Sequence, residues 1–168
     1  MKRQWTMAVA VMAAAVAFSA ADAQAQVRIS AAGGPSFPTG ENHLDMGFHV
    51  QLAGELGVPM LPFGFRVDGM FNRFSEDHGN YDVLSGTANA IFNIPMVGLT
   101  PYIIGGVGVY SAEDHAHDEE RETNLGVNIG AGARLPLPGL GVFVEARYHA
   151  PFGDHALRFV PVSFGIRF

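Results

Sequence analysis

The chain has 168 residues, 16 Asp and Glu against 10 Lys and Arg, a net charge of −6 at pH 7 and no cysteine. That balance supplies no basic stripe for neutralising phosphates and argues against nucleic acid as a partner, and a fold from this chain has no disulfide to hold it. Hydrophobic residues make up 48% of the sequence, yet after the N-terminal region no apolar stretch nears the ~18–20 residues of a membrane-spanning helix, which excludes a helical membrane protein.

The N-terminus has three parts in order. Lys2 and Arg3 are followed by an apolar run from Met7 to Phe18, then by overlapping small-residue sites at Ala21–Ala23 and Ala23–Ala25. This is the layout of a secretory signal peptide, with an apolar run too short to span a bilayer. Cleavage is expected after Ala23 or Ala25, giving a leader over 1–25 and one domain over 26–168, with the first strand starting at Val27.

From Val27 onward the chain repeats a two-residue rhythm. The first strand reads Val27 to Ala32. In the second, Phe48, Val50, Leu52 and Leu56 alternate with His49, Gln51, Ala53 and Glu55. Phe63, Phe65, Val67 and Phe71 oppose Arg66, Asp68 and Asn72 in the third. Leu84, Ala88, Ala90, Phe92 and Ile94 oppose Ser85, Thr87, Asn89 and Asn93 in the fourth. The fifth (Tyr102–Tyr110), sixth (about Asn124–Arg134) and seventh (Val142–His149) continue the pattern, and an eighth runs from about Leu157 to Phe168. Such alternation gives each strand one apolar and one polar face. The expected fold is all-β: an eight-stranded antiparallel up-and-down transmembrane barrel with strands of about ten residues.

The connections alternate in kind. Val58–Pro62, Pro95–Leu99 and Leu135–Gly139 are short, apolar and uncharged; Thr39–Asp45, Ser75–Tyr81, Ala112–Glu122 and Gly153–Ala156 each carry an acid and a histidine. Short turns at one end and polar loops at the other match an outer-membrane barrel with turns in the periplasm. Lipid offers no partners to backbone N–H and C=O groups, so the sheet must close, with apolar residues facing lipid and polar ones facing the lumen. Glycines on the inward parity, among them Gly106, Gly126, Gly130 and Gly132, would make room for Tyr102, Tyr110, Phe143 and the arginines. Phe63, Tyr148 and Phe168 would contribute to interfacial girdles. A soluble lipocalin-like barrel would invert these faces.

The Pro101–Tyr110 segment, the Val142–Tyr148 segment and the terminal Phe164-Gly165-Ile166-Arg167-Phe168 together resemble the small eight-stranded outer-membrane β-barrel family, the group of the OmpA transmembrane domain and OmpX-like proteins. The resemblance covers about Val27 to Phe168 and implies residence in the outer membrane of a Gram-negative-type cell, a lipid and lipopolysaccharide environment, and a monomer. It implies that Phe164, Ile166 and Phe168 form a signal read by the barrel-assembly machinery. No peptidoglycan-binding domain follows the last strand, so a cell-wall tether is not expected.

Three sets of residues carry candidate chemistry. Arg28, Glu55, Arg66, Asp68, Arg134, Glu145, Arg147 and Arg167 fall on the lumen parity and should pair, since an unpaired buried charge costs several kcal/mol; Arg66 with Asp68, and Glu145 with Arg147, share a face. They form either a salt-bridged plug or a narrow gated path, and the small bore favours the plug. The loop bearing Asp114, His115, His117 and Asp118, with His43, His78 and His155 on the same rim, is either a solvated loop or a weak site for zinc or another divalent cation; no complete ligand signature is present. His149, Ser111 and Asp154 near the outer rim are the candidates for a lipid-modifying enzyme, but no catalytic motif supports them. The expectation is a non-catalytic envelope or surface-interaction barrel with no cofactor, and a narrow pore or small-solute binder as the alternative.

Overall fold

A computed structural model describes residues 27–40, 44–58, 60–76, 79–114, 122–137, 139–153 and 156–168. The leader expected over 1–25, its cleavage sites, and His43, His78, His115, His117, Asp118, Asp154 and His155 lie outside the described residues.

Eight strands follow one another: β1 (Val27–Thr39), β2 (Gly47–Gly57), β3 (Phe63–Glu76), β4 (Gly79–Asn93), β5 (Thr100–Asp114), β6 (Glu122–Leu137), β7 (Leu140–Pro151) and β8 (Arg158–Arg167). Each pairs antiparallel with the next, and β8 returns to β1, so the sheet is a closed barrel. The closing ladder sets Ser30 opposite Arg167, Gly33 opposite Phe164 and Ser36 opposite Pro161.

The alternation fixes which face points where. Phe65, Ile129 and Phe164 are 59%, 68% and 60% exposed on the outside, whereas Arg66 and Asn128 on the inside are 2% and 4% exposed. The soluble alternative, with a dry centre and a wet exterior, is thereby inverted. Phe63 and Phe92 meet on the outer wall near the turn end, ring centroids 5.1 Å apart.

Two expectations about length need correction. The strands run from 10 residues in β8 to 16 in β6, not uniformly about ten. At ~3.4 Å per residue and ~40° of tilt, the 15 residues of β4 rise about 39 Å, well beyond an apolar band ~25 Å tall. The excess lies at the loop end, where the β3–β4 ladder continues to Glu76 opposite Gly79 and replaces most of the loop expected over Ser75–Tyr81. Its outer face turns polar there, with Arg73 donating to both Asp82 oxygens at 2.8 and 2.7 Å. The turn expected over Leu135–Gly139 is likewise drawn into β6 and β7, which pair as far as Leu137 opposite Leu140, and Gly139 takes the positive φ (73°) at its tip. Alternation marks the faces of a strand, but ladder hydrogen bonds continue wherever the backbone stays extended.

Candidate functional site: the barrel lumen

The inward side chains stack in layers from the turn end to the loop end. Near the turns, Glu55 on β2 receives Arg134 Nη2 from β6 at 2.8 Å and Arg167 Nη1 from β8 at 3.2 Å. Arg28 stands opposite Glu55 across the β1–β2 ladder. Arg134 also donates to Asn93 Oδ1 at 2.7 Å, and its guanidinium lies 4.1 Å over the Tyr102 ring, a cation–π contact that fixes its plane. Tyr102 reaches this position because Gly132 faces it: a Cβ at Gly132 would fall 2.4 Å from the tyrosine ring.

The middle layer is a four-charge cluster between β3 and β7. Arg66 pairs with Glu145, and Arg147 Nη2 donates to Asp68 Oδ1 at 2.9 Å. Arg147 Nε also lies 2.8 Å from Glu145 Oε1, and Arg66 Nε lies 3.6 Å from Asp68 Oδ2. The contacts expected along each strand are therefore present, and two more are added across the lumen. Tyr102 donates its hydroxyl to Glu145 at 2.7 Å, and Asn89 donates to Asp68 at 2.8 Å. All four charges are buried. Burial of this kind is tolerable only because each ion meets an opposite charge and further hydrogen bonds.

Above it, His49 shares hydrogen bonds with Ser163 at 2.8 Å and Ser36 at 3.2 Å, and Ser36 donates to Asn72 at 2.8 Å. The loop end then changes character. Met70, Phe74, Val83, Tyr110, Leu157 and Phe159 form a buried apolar cluster inside the barrel. His149 stacks on Phe159 with centroids 5.0 Å apart and planes 3° from parallel, and shares a 2.9 Å hydrogen bond with the Tyr110 hydroxyl.

This cap escapes a reading by alternation, because it puts apolar residues on the polar parity. Its trace in the sequence is the adjacency of Val83 with Leu84, which, like Ile103-Ile104 deeper in the barrel, gives apolar residues on both faces at once. His49 and Tyr102 belong to the network as well, although neither carries a charge that would single it out.

Of the rim set His149, Ser111 and Asp154, the two described residues face opposite sides of the wall. His149 is fully buried in the lumen rather than at the rim. Ser111 alternates with the inward Tyr110 and faces out, within 3.3 Å of Thr123 Oγ1, and Asp154 lies outside the described residues. Among the described residues, no three His, Cys, Asp or Glu side chains converge on a metal position. Of the loop set, only Asp114 is within a described element, at the end of β5. Phe164, Ile166 and Phe168 all face outward.

No family model and no curated protein matches the sequence. Solved structures do match in shape. Neisserial surface protein A superposes with a TM-score of 0.68 at 16% identity, covering 84% of this chain and 95% of that one. Ail, the attachment invasion locus protein of Yersinia pestis, gives 0.62 at 18% identity over 87% of this chain and all of its own. The outer membrane enzyme PagL gives 0.54 at 16% identity over 84% and 98%. The chain has the fold of the small eight-stranded outer-membrane β-barrels. That fold carries both surface proteins and an enzyme, so function has to be argued from the lumen and the wall.

Proposed function

We propose that this chain is an outer-membrane barrel that works through its wall and loops, contributing to envelope integrity or surface contact, and is neither a catalyst nor an open channel. The outward apolar belt supports placement in lipid. The alternation of uncharged turns with acid-rich loops supports turns in the periplasm and loops outside.

The observation that carries the closed-lumen reading is the pairing of opposite walls. Two layers of ion pairs span the bore, and the apolar cap of Phe74, Phe159 and Leu157 lies above them. Water and ions would have to break several charge-assisted hydrogen bonds to pass. With the lumen closed, the surface left for recognition is the loop end, where Asp45, Glu113 and Glu122 lie at or beside the strand ends and the connecting sequences are rich in Asp and Glu.

The test is conductance of the purified, folded barrel in planar bilayers, with folding checked by the gel shift between unheated and boiled samples. Silence is expected. Reproducible unitary steps would instead establish the narrow-pore reading. Acyl hydrolase or acyltransferase activity lost in His149→Ala would overturn the non-catalytic one.

A further inference from the structure

Among the described residues, the two ends of the barrel carry opposite charge, with Asp45, Asp82, Glu113 and Glu122 against Arg73 and Arg158 at the loop end. The turn end is the cationic one. Its three connections, Val58–Pro62, Ile94–Leu99 and Pro138–Gly139, contain no ionisable side chain. Among the described residues, the charged side chains there are Arg28, Arg134 and Arg167 around one carboxylate, Glu55. A terminal carboxylate on Phe168, at the same end, would still leave the mouth positive.

Arg134 and Arg167 meet on the two oxygens of Glu55, and Arg28 stands opposite Glu55 on the neighbouring strand. Arg134 is immobilised: its side chain is 8% exposed, clamped by Glu55, Asn93 and the Tyr102 ring. Arg167 is different. It meets Glu55 through Nη1 alone, and its side chain is 19% exposed at the mouth. A guanidinium has five N–H donors in a planar fork suited to a carboxylate or a phosphate. The bond to Glu55 accounts for one of those on Arg167.

We propose that this turn-end mouth is a binding site for a phosphate-class oxyanion, with Arg167 as the principal docking group, Arg134 and Arg28 supplying fixed positive potential, and Glu55 acting as a built-in competitor. The site is blind. The ion-pair layer of Arg66, Asp68, Glu145 and Arg147 closes the lumen above it, so an anion enters and leaves by the turn side only. Partial burial strengthens the attraction beyond that of an exposed arginine pair. The phosphate could be borne by a soluble ion or by a phospholipid headgroup at the same level of the membrane. Binding here requires neither conduction nor loop contact, so its failure would leave the proposed envelope role standing, and the reverse also holds.

The experiment is isothermal titration of the folded barrel in a neutral, phosphate-free detergent with inorganic pyrophosphate, and separately in mixed micelles with increasing phosphatidylglycerol. Saturable binding in the first arm assigns a soluble oxyanion; saturation in the second alone assigns a headgroup. Arg167→Gln should weaken binding by about 10-fold or more, the scale of one lost charge-assisted contact. Glu55→Gln, which removes the competitor, should tighten it several-fold. Arg158→Gln at the loop end should leave it unchanged. Each variant is first checked for the wild-type heat-dependent gel shift, and Arg28→Gln replaces Arg167→Gln if the latter does not fold. No saturable binding in either arm would overturn the assignment. Equal affinity in the wild type and Arg167→Gln would overturn it too, as would an equal loss in Arg158→Gln.

Discussion

Arg147 reaches Asp68 from the opposite wall of the barrel at 2.9 Å. β7 and β3 stand four apart in an eight-strand ring, and the same two strands exchange a second pair, Arg66 with Glu145, in the reverse direction. Glu55 and Arg134 join β2 to β6, again four strands apart. The lumen is therefore cross-braced along two diameters.

Breaking one brace should be costly. Glu145→Gln leaves two buried guanidiniums facing Asp68 alone, and the loss should be about 3–5 kcal/mol. Replacing Arg66 and Glu145 together, by Met and Leu, should cost less than Glu145→Gln, because no buried charge is then left without a counter-ion. Reversible urea unfolding in vesicles measures both. A double variant as unstable as the single one would mean that the pair itself, and not the orphaned charge, carries the stability.

Much of this wall was legible in the residues. Phe63-x-Phe65-x-Val67 and Leu125-x-Val127-x-Ile129 declare a lipid face by simple alternation, and the charged residues between them declare a lumen. Which charge meets which across the bore was not legible. The partners of Arg66, Arg134 and Arg147 across the bore are each 79 residues away, and their meeting depends on the stagger of the closed sheet, which no single strand encodes. The apolar cap was hidden for a related reason. Toward the loop end Phe74 and Phe159 pack into a buried apolar cluster, so they follow the logic of a soluble core on a parity reserved elsewhere for polar groups.

Glycine substitutions should separate the two faces. A Cβ at inward Gly130 would fall 2.2 Å from the Ala146 carbonyl oxygen and 2.5 Å from Arg147 Cγ, whereas outward Gly54 and Gly86 meet nothing within 4 Å. Gly130→Ala should displace Arg147 and cost about 1–3 kcal/mol. Gly54→Ala and Gly86→Ala should be neutral or stabilising by about 0.4–1 kcal/mol, through a less flexible unfolded chain. The same urea midpoints report all three, and a destabilising Gly86→Ala would contradict the open outer wall at that position.

The cap and the ion-pair layers should act as separate seals. Phe159→Ala removes the ring that packs on His149, Phe74 and Tyr110, and should cost about 3–5 kcal/mol. Conductance should nevertheless stay silent, since the β3–β7 cluster still closes the bore beneath. Unitary steps in Phe159→Ala would show that the cap alone is the seal.

The most direct test of the account is the direction the side chains face. The chain's one tryptophan, Trp5, falls in the expected leader, so single tryptophans are placed at Phe65, Ile129 and Tyr102 of the barrel that starts after it, and the folded barrel is reconstituted with lipids brominated along their acyl chains. Emission from Phe65→Trp and Ile129→Trp should be strongly quenched, and emission from Tyr102→Trp should be nearly unaffected. Strong quenching at position 102 with bright emission at 65 and 129 would contradict a lipid-facing apolar wall around an enclosed polar lumen.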